Sequence, residues 1–593
     1  MNQSLATFSL EGEVLGTSIQ SYLIELAGPA SLRILRPFSW DAKHRAFEGV
    51  EIDLSRPVVV VSGPYATADV QAWNVDPNHD VGFPESAEHD GVLYTLAGEP
   101  ATSDSRYQDA AGWFTIAGRN EKGENIFVGF ALERSNTQLV VIERQGKELK
   151  VDLVLPKQVY PIQAVARMKD LPQMQIITGS GRHEDGEKQL RRLVIQSMPA
   201  RARNYLSPLI VDTWGFGTNV DEELVIAVAK TAKRLELEIL TVDKGWETTV
   251  GDWLPGPHFP SGMPGLSEIT KSNGTRLGLW AALGNADPKS KVAQLHPEWI
   301  ASWRGNKQVV SHRTNSLCLG HEPVIEYLLG CLGELAEGGL TWLLHDFETI
   351  SRCDSNQHTH DPLLGEDAGV RGWYSLLGQF RVRYPNVWIE NCWNGARPLD
   401  LQMVAHHDTT IGDDWCDVRH NAVAKVGLGR YLPAHWCSAY AQDQNSLPLR
   451  SQLAIYAVGG PWILMGDIPN WSQEKLELCK SVMGCYRRWR TLFPEGRVDW
   501  TEISGWEPGE GWKADQDLLA ISFLHDSGKE LMAAVVINPI AEEVRWHPRH
   551  SSAVEVTDEF TGETFNYSAN EVKAGIALPT SRPEGFLFSV QPN

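Results

Sequence analysis

The sequence predicts a multidomain α/β and β protein: a central (β/α)8 TIM barrel with a large N-terminal β-sandwich and a small C-terminal β-sandwich. Three observations lead there. The chain has 593 residues, 42% of them hydrophobic, which is too long for one ordinary domain. Short β-branched runs give way near Leu206 to strand-like apolar segments alternating with amphipathic helical ones, the pattern of βα units. After Pro494 the β texture returns. The predicted domains are therefore 1–203, 204–494 and 495–593.

The first domain shows no long helical periodicity. Runs such as Pro57-Val58-Val59-Val60-Val61, 125–130 and 138–142 recur between Gly, Asn, Asp and Pro, as in a sandwich. In the second, eight strands are predicted: Leu209–Trp214, Glu238–Asp243, Arg276–Ala281, Thr341–Asp346, Val387–Cys392, Met403–Ile411, Gly429–Trp436 and Trp462–Gly466. The sixth and seventh have the weakest patterns. A helix over Asp221–Leu235 gathers Leu224, Val225, Val228, Ala229, Ala232 and Leu235 on one face, with Asn219 or Thr218 as N-cap. Further helices are predicted over 322–337, 368–384, 447–458 and 472–491. The third domain offers strands at Leu518–Phe523, Leu531–Asn538 and Gly585–Val590.

Composition narrows the function classes. A formal net charge of −22 argues against nucleic acid or an anionic membrane as partner. There is no run of 18 or more apolar residues, so no membrane span is predicted. The N-terminal MNQSLATFSLEGEVLG has neither a basic nor an apolar leader segment. All eight Cys fall between Cys318 and Cys485 with no CxxC pair. Reduced thiols and a cytoplasmic location are therefore expected. The 22 Trp serve either as core filler or as aromatic platforms for the apolar faces of sugars.

In a TIM barrel the chemistry gathers where strands end. The predicted strand ends carry Asp212 and Trp214, Asp243-Lys244-Gly245-Trp246, Trp280, His345-Asp346, Glu390-Asn391-Cys392-Trp393, Asp413-Asp414, His435-Trp436 and Asp467. Acids among tryptophans suit glycoside chemistry, in which one carboxylate attacks the anomeric centre and another protonates the leaving oxygen. The segment GGLTWLLHDFE, residues 338–348, is the sharpest case: an apolar run ending in His345, Asp346 and Glu348. On a strand His345 and Asp346 point to opposite faces, so only one can enter the barrel mouth.

VDKGWE from Val242, GDW at 251–253, FPSGMPGL at 259–266, RLGLW at 276–280 and HPEW at 296–299 stand in one order with GGLTWLLHDFE, ENCWNGARPLD at 390–400 and GDDWCD at 412–417. This collinear set resembles the α-galactosidases of glycoside hydrolase family 36, in the clan with families 27 and 31, over about half the chain. The resemblance implies a retaining enzyme with Asp346 as nucleophile and Asp413 as acid/base, Asp414 being a one-residue alternative. It implies sugar contacts at Asp243, Trp280, Cys392 and Gly395. Lys244, Trp246, His321, His345 and Trp393 complete the expected substrate-binding set, with an oligosaccharide or glycoside as partner. It also implies self-association through the β domains.

Three positions depart from the family. Lys244 replaces the second acid of Asp-Asp-Gly-Trp, Leu344 replaces a lysine two residues before the nucleophile, and His321 stands where the family has a substrate-binding arginine. An ammonium cannot accept hydrogen bonds as a carboxylate does, so an altered sugar is expected, a uronic or otherwise substituted one included. The ordinary reading of Lys244 is an ion pair with Asp243 or Glu247. Two other functions stay open: transglycosylation of the raffinose-synthase kind, and a catalytically silent carbohydrate-binding protein. No cofactor and no metal are expected. His358-Thr359-His360-Asp361 reads as a solvated loop, and His406-His407-Asp408 as packing.

Overall fold

The computed structural model describes residues 112–119, 124–134, 174–310, 313–346, 350–392, 399–412, 418–442, 447–504 and 517–592, together with the course of further strands between 24 and 154. In the N-terminal part, the strands Met174–Ser180, Asn125–Leu132, Trp113–Arg119, Val58–Ser62 and Ala72–Val75 form a five-stranded antiparallel sheet in that order. Two three-stranded sheets accompany it. The expectation of β structure alone up to residue 203 needs correction. A 15-residue helix, His183–Ser197, lies on the five-stranded sheet. Gly186 permits that approach, because a Cβ there would come within 2.5 Å of Thr115 Cγ2.

Eight parallel strands then close into a barrel: Leu209–Asp212, Ile239–Val242, Arg276–Ala281, Leu340–His345, Trp388–Asn391, Thr409–Ile411, Cys437–Gln442 and Trp462–Met465. Closure is made by pairing the last with the first, Leu209 opposite Trp462 and Val211 opposite Leu464. Strands buried on both faces are apolar along their length, and Leu209–Asp212 and Ile239–Val242 are buried at every position. Helices follow each strand, Glu222–Leu235, Glu322–Glu337, Gly365–Arg383 and Gln473–Trp489 among them. The first is capped by Asp221, whose Oδ1 accepts from the Leu224 N–H at 2.8 Å; neither Thr218 nor Asn219 serves as the expected cap.

Strands six and seven are also corrected. The segment read as one strand from Met403 holds a helix, Leu401–His406, before the three-residue strand Thr409–Ile411. The segment Gly429–Trp436 ends a helix and makes a 3-10 turn, Ala434–Trp436, ahead of the true strand Cys437–Gln442. His435 and Trp436 therefore lie before the seventh strand, away from the mouth, and both are fully buried.

The C-terminal part is a six-stranded sheet in the order Gly496–Trp500, Leu518–His525, Glu530–Val536, Glu584–Pro592, Val554–Asp558, Thr564–Tyr567. A two-stranded ribbon, Val544–Trp546 with Ile576–Leu578, shares its apolar core around Trp546, Leu518 and Met532. Gly585 sits so close to the barrel helix Leu449–Tyr456 that a Cβ would lie 2.4 Å from Ser451 Cα. Nine tryptophans are among the largest wholly buried side chains, so core filling accounts for many of the 22. No helix among the described residues is long and apolar enough to cross a membrane.

Candidate active site

Barrel strand four, Leu340–His345, delivers Asp346 to the C-terminal mouth. The Asp346 backbone N–H donates to the Ala281 carbonyl at the end of strand three, at 2.9 Å. The Trp280 indole Nε1–H donates to Asp346 Oδ2 at 3.2 Å. Side-chain alternation puts Trp342, Leu344 and Asp346 on one face of this strand and His345 on the other. The Trp342 Nε1–H reaches Glu390 Oε2 on strand five, so that face is the barrel interior.

His345, expected among the substrate contacts, faces the helical layer instead. It is fully buried, meets Trp373 edge-on and hydrogen-bonds His407. His407 Nδ1–H is held by the Met403 carbonyl, so its Nε2 accepts from the Nε2–H of His345. Burial holds the His345 pKa down, to about 3, and the pair is neutral packing. Glu348 lies outside the described residues.

The second strand ends at Val242 and hands over to Asp243 and Lys244. The Asp243 N–H donates to Thr213 Oγ1 at 2.8 Å, and its Oδ1 accepts the Lys244 N–H at 2.6 Å. Lys244 Nζ lies 5.7 Å above the Trp280 ring, within cation–π reach. Trp280 thus stands between the lysine and the Asp346 carboxylate. Gly245 allows the sharp turn after Lys244: its φ is 114°, and a Cβ would lie 2.6 Å from the Thr218 carbonyl oxygen.

Trp246 is wholly buried, and its Nε1–H donates to the Trp280 carbonyl at 2.8 Å. Expected among the substrate contacts, it braces Trp280. Trp253 adds a second buried ring 6.1 Å from Trp280. Cys392 is buried just past strand five, its N–H donating to the His345 carbonyl at 3.1 Å. Asp413, Asp414, Trp393 and Gly395 lie outside the described residues.

Two interior carboxyls read from the sequence only as ordinary strand ends. Glu390 accepts from Trp342 and, at 3.0 Å, from Ser438 Oγ; burial raises its pKa to about 8. Asp212 accepts the Trp214 N–H at 2.7 Å, and burial raises its pKa. Glu390 is therefore largely the neutral acid at neutral pH. Trp214 itself is 43% exposed beyond strand one.

His321 contacts a different group. Its Nδ1 accepts the Thr359 N–H at 3.2 Å, and its ring stacks on His358 with centroids 4.6 Å apart. In the segment 358–361, expected to be a solvated loop, His358 is buried at 8% exposure, Thr359 is exposed, and His360 and Asp361 are half-buried. His406 and His407 do pack, each Nδ1–H on a backbone carbonyl, while Asp408 pairs with Arg201 and Arg381.

Residues 184–442 match the Melibiase family model, a span that contains the first seven barrel strands, Asp243, Trp280 and Asp346. That match spans less than half of the 593-residue chain and ends before the eighth barrel strand. The chain is accordingly similar to α-galactosidases: it is 24% identical to the Escherichia coli enzyme over 323 residues, 50% of this chain and 44% of that one. It is 22% identical to AgaA of Geobacillus stearothermophilus over 318 residues, 49% and 42% of the two chains. The alignments thus span less than half the length of these relatives.

Solved structures agree on the fold around this segment. The Lactobacillus brevis α-galactosidase superposes with a TM-score of 0.75 at 19% identity, covering 91% of this chain and 74% of the other. A variant of the Geobacillus AgaA solved with stachyose gives 0.74 at 16% identity, covering 95% and 77%. Coverage of that extent includes the flanking β domains as well as the barrel.

Proposed function

We propose that this chain is a retaining α-glycosidase acting on α-galactosides or closely related sugars. Asp346 attacks the anomeric carbon from the face opposite the leaving group and forms a glycosyl-enzyme. Asp413 protonates the departing oxygen, then deprotonates the water that releases the sugar. Asp243 grips hydroxyls on the far side of the ring, and Trp280 packs beside them.

The observation that carries this reading is the Trp280–Asp346 contact at the mouth of the barrel. It orients the carboxylate at the end of strand four. An indole N–H is a donor that brings no countercharge against the attacking group. The similarity to α-galactosidases, one of them solved with stachyose, supports an oligosaccharide substrate.

Altered specificity is part of the proposal. Lys244 presents a cation over the Trp280 ring, while Leu344, where relatives keep a lysine, is buried and apolar. An acceptor-rich or anionic ring substituent fits this arrangement better than a plain hydroxyl pair. Turnover of aryl α-glycosides by wild type and Asp346→Asn tests the reading. The variant is expected to lose on the order of a thousandfold or more in kcat. Equal rates would remove Asp346 from the mechanism, and products formed with an added acceptor sugar separate hydrolysis from transfer.

A further inference from the structure

Outside the melibiase chemistry, two loops at the barrel mouth bring four ligand-type side chains to one point. Cys318 comes from the long loop after strand three; Cys353, His358 and His360 come from the loop that follows strand four. Their Sγ and ring nitrogen atoms all lie within 4.8 Å of one another. Cys318 Sγ is 3.3 Å from His360 Nε2, and Cys353 Sγ is 3.2 Å from His358 Nδ1. We infer that this Cys318–Cys353–His358–His360 cluster is a structural zinc site, clamping the loop after strand three to the loop after strand four.

The geometry is that of a tetrahedral cage slightly contracted. Zn–S near 2.3 Å and Zn–N near 2.0–2.1 Å place a sulfur and a nitrogen of one tetrahedron about 3.6 Å apart. The observed edges fall a few tenths of an ångström short of that. Two thiolates and two neutral imidazoles neutralise Zn2+, which a buried site requires. Both cysteines are buried, at 3% and 1% exposure. Soft thiolates disfavour Mg2+ and Ca2+, and four protein ligands leave no open catalytic position.

The support around the ligands points the same way. His358 Nε2 is held at 2.6 Å by the Glu298 carbonyl, which requires Nε2–H and leaves the Nδ1 lone pair facing Cys353. His360 Nδ1 is held at 3.0 Å by the Asp361 carbonyl, which leaves the Nε2 lone pair facing Cys318. Backbone carbonyls that fix the distal nitrogen are the usual outer partners of metal-bound histidines. Glycines make room: a Cβ on Gly365 would meet the Cys353 carbonyl oxygen at 1.9 Å and His360 Cε1 at 2.9 Å, and one on Gly320 would meet His360 Cδ2 at 2.9 Å.

Metal analysis of the full-length protein, purified without chelator and then exposed to Zn2+ and desalted, tests the inference. One zinc per chain is expected. It should be lost in Cys353→Ser and in His360→Gln, and retained in Asp346→Asn. Should those cysteine and histidine variants fail to fold, the wild type alone suffices. Co2+ exchanged into it should give the intense visible bands of a tetrahedral thiolate site, and zinc should protect Cys318 and Cys353 from alkylation. His360→Cys, which keeps a ligand, should keep the metal and strengthen the sulfur-to-cobalt charge-transfer band. A wild-type protein that holds no zinc after this treatment, or whose Cys318 and Cys353 are alkylated equally fast with and without zinc, would overturn the assignment.

Discussion

Lys244, set over the Trp280 ring at 5.7 Å, is the proposed selector of the sugar. Lys244→Asp restores a hydroxyl acceptor, so kcat/KM for an aryl α-galactoside should rise by about tenfold, equivalent to about 1.4 kcal/mol. The native substrate should lose a comparable factor; if neither rate moves, the lysine is not the selector. Glu390 carries a second prediction. Its folded pKa of about 8 lies above the ordinary 4.5 because of burial, so the folded state binds a proton that the unfolded state has released. Its contribution to stability is present in full below about pH 4.5 and is lost as pH rises toward 8. Thermal midpoints should therefore fall across that window, and Glu390→Gln should flatten the fall. An unchanged slope in the variant would assign the dependence to other groups, Asp212 first.

Elements were legible where the pattern was long. The helix Glu322–Glu337 and the strand Arg276–Ala281 stand as the sequence predicts, because each has a continuous apolar pattern between clear breaks. Strands six and seven were not legible. Thr409–Ile411 has three residues, too few for periodicity, and follows an apolar helix with only Asp400 to mark its start. Cys437–Gln442 reads CSAYAQ, small residues without the β-branched signal, and is a strand because the closed barrel supplies its partners. The cap of the helix Glu222–Leu235 tests local reasoning. Asp221→Ala should cost about 1 kcal/mol in chemical unfolding, whereas Asn219→Ala should cost little. The reverse order would put the cap back at Asn219.

At the scale of the molecule, architecture was readable because strand and helix alternation survives in the sequence even where single boundaries do not. The strand-four aspartate was readable too, since an apolar run ending in His345-Asp346 admits one inward acid. The Cys318–Cys353–His358–His360 cluster was not, because Cys353, His358 and His360 share one loop that read as solvated, and only the fold brings Cys318 to His360, 42 positions away. Both loops leave the barrel beside Asp346, so the proposed chemistry and the proposed zinc clamp share one face of the protein. The central claim is that Asp346 attacks the anomeric carbon. Azide supplied to Asp346→Gly with an activated aryl α-galactoside measures it directly, by the configuration of the glycosyl azide formed. The β-azide is expected, since azide then takes the place of the missing carboxylate. Formation of the α-azide, or wild-type hydrolysis by the variant without azide, would contradict it.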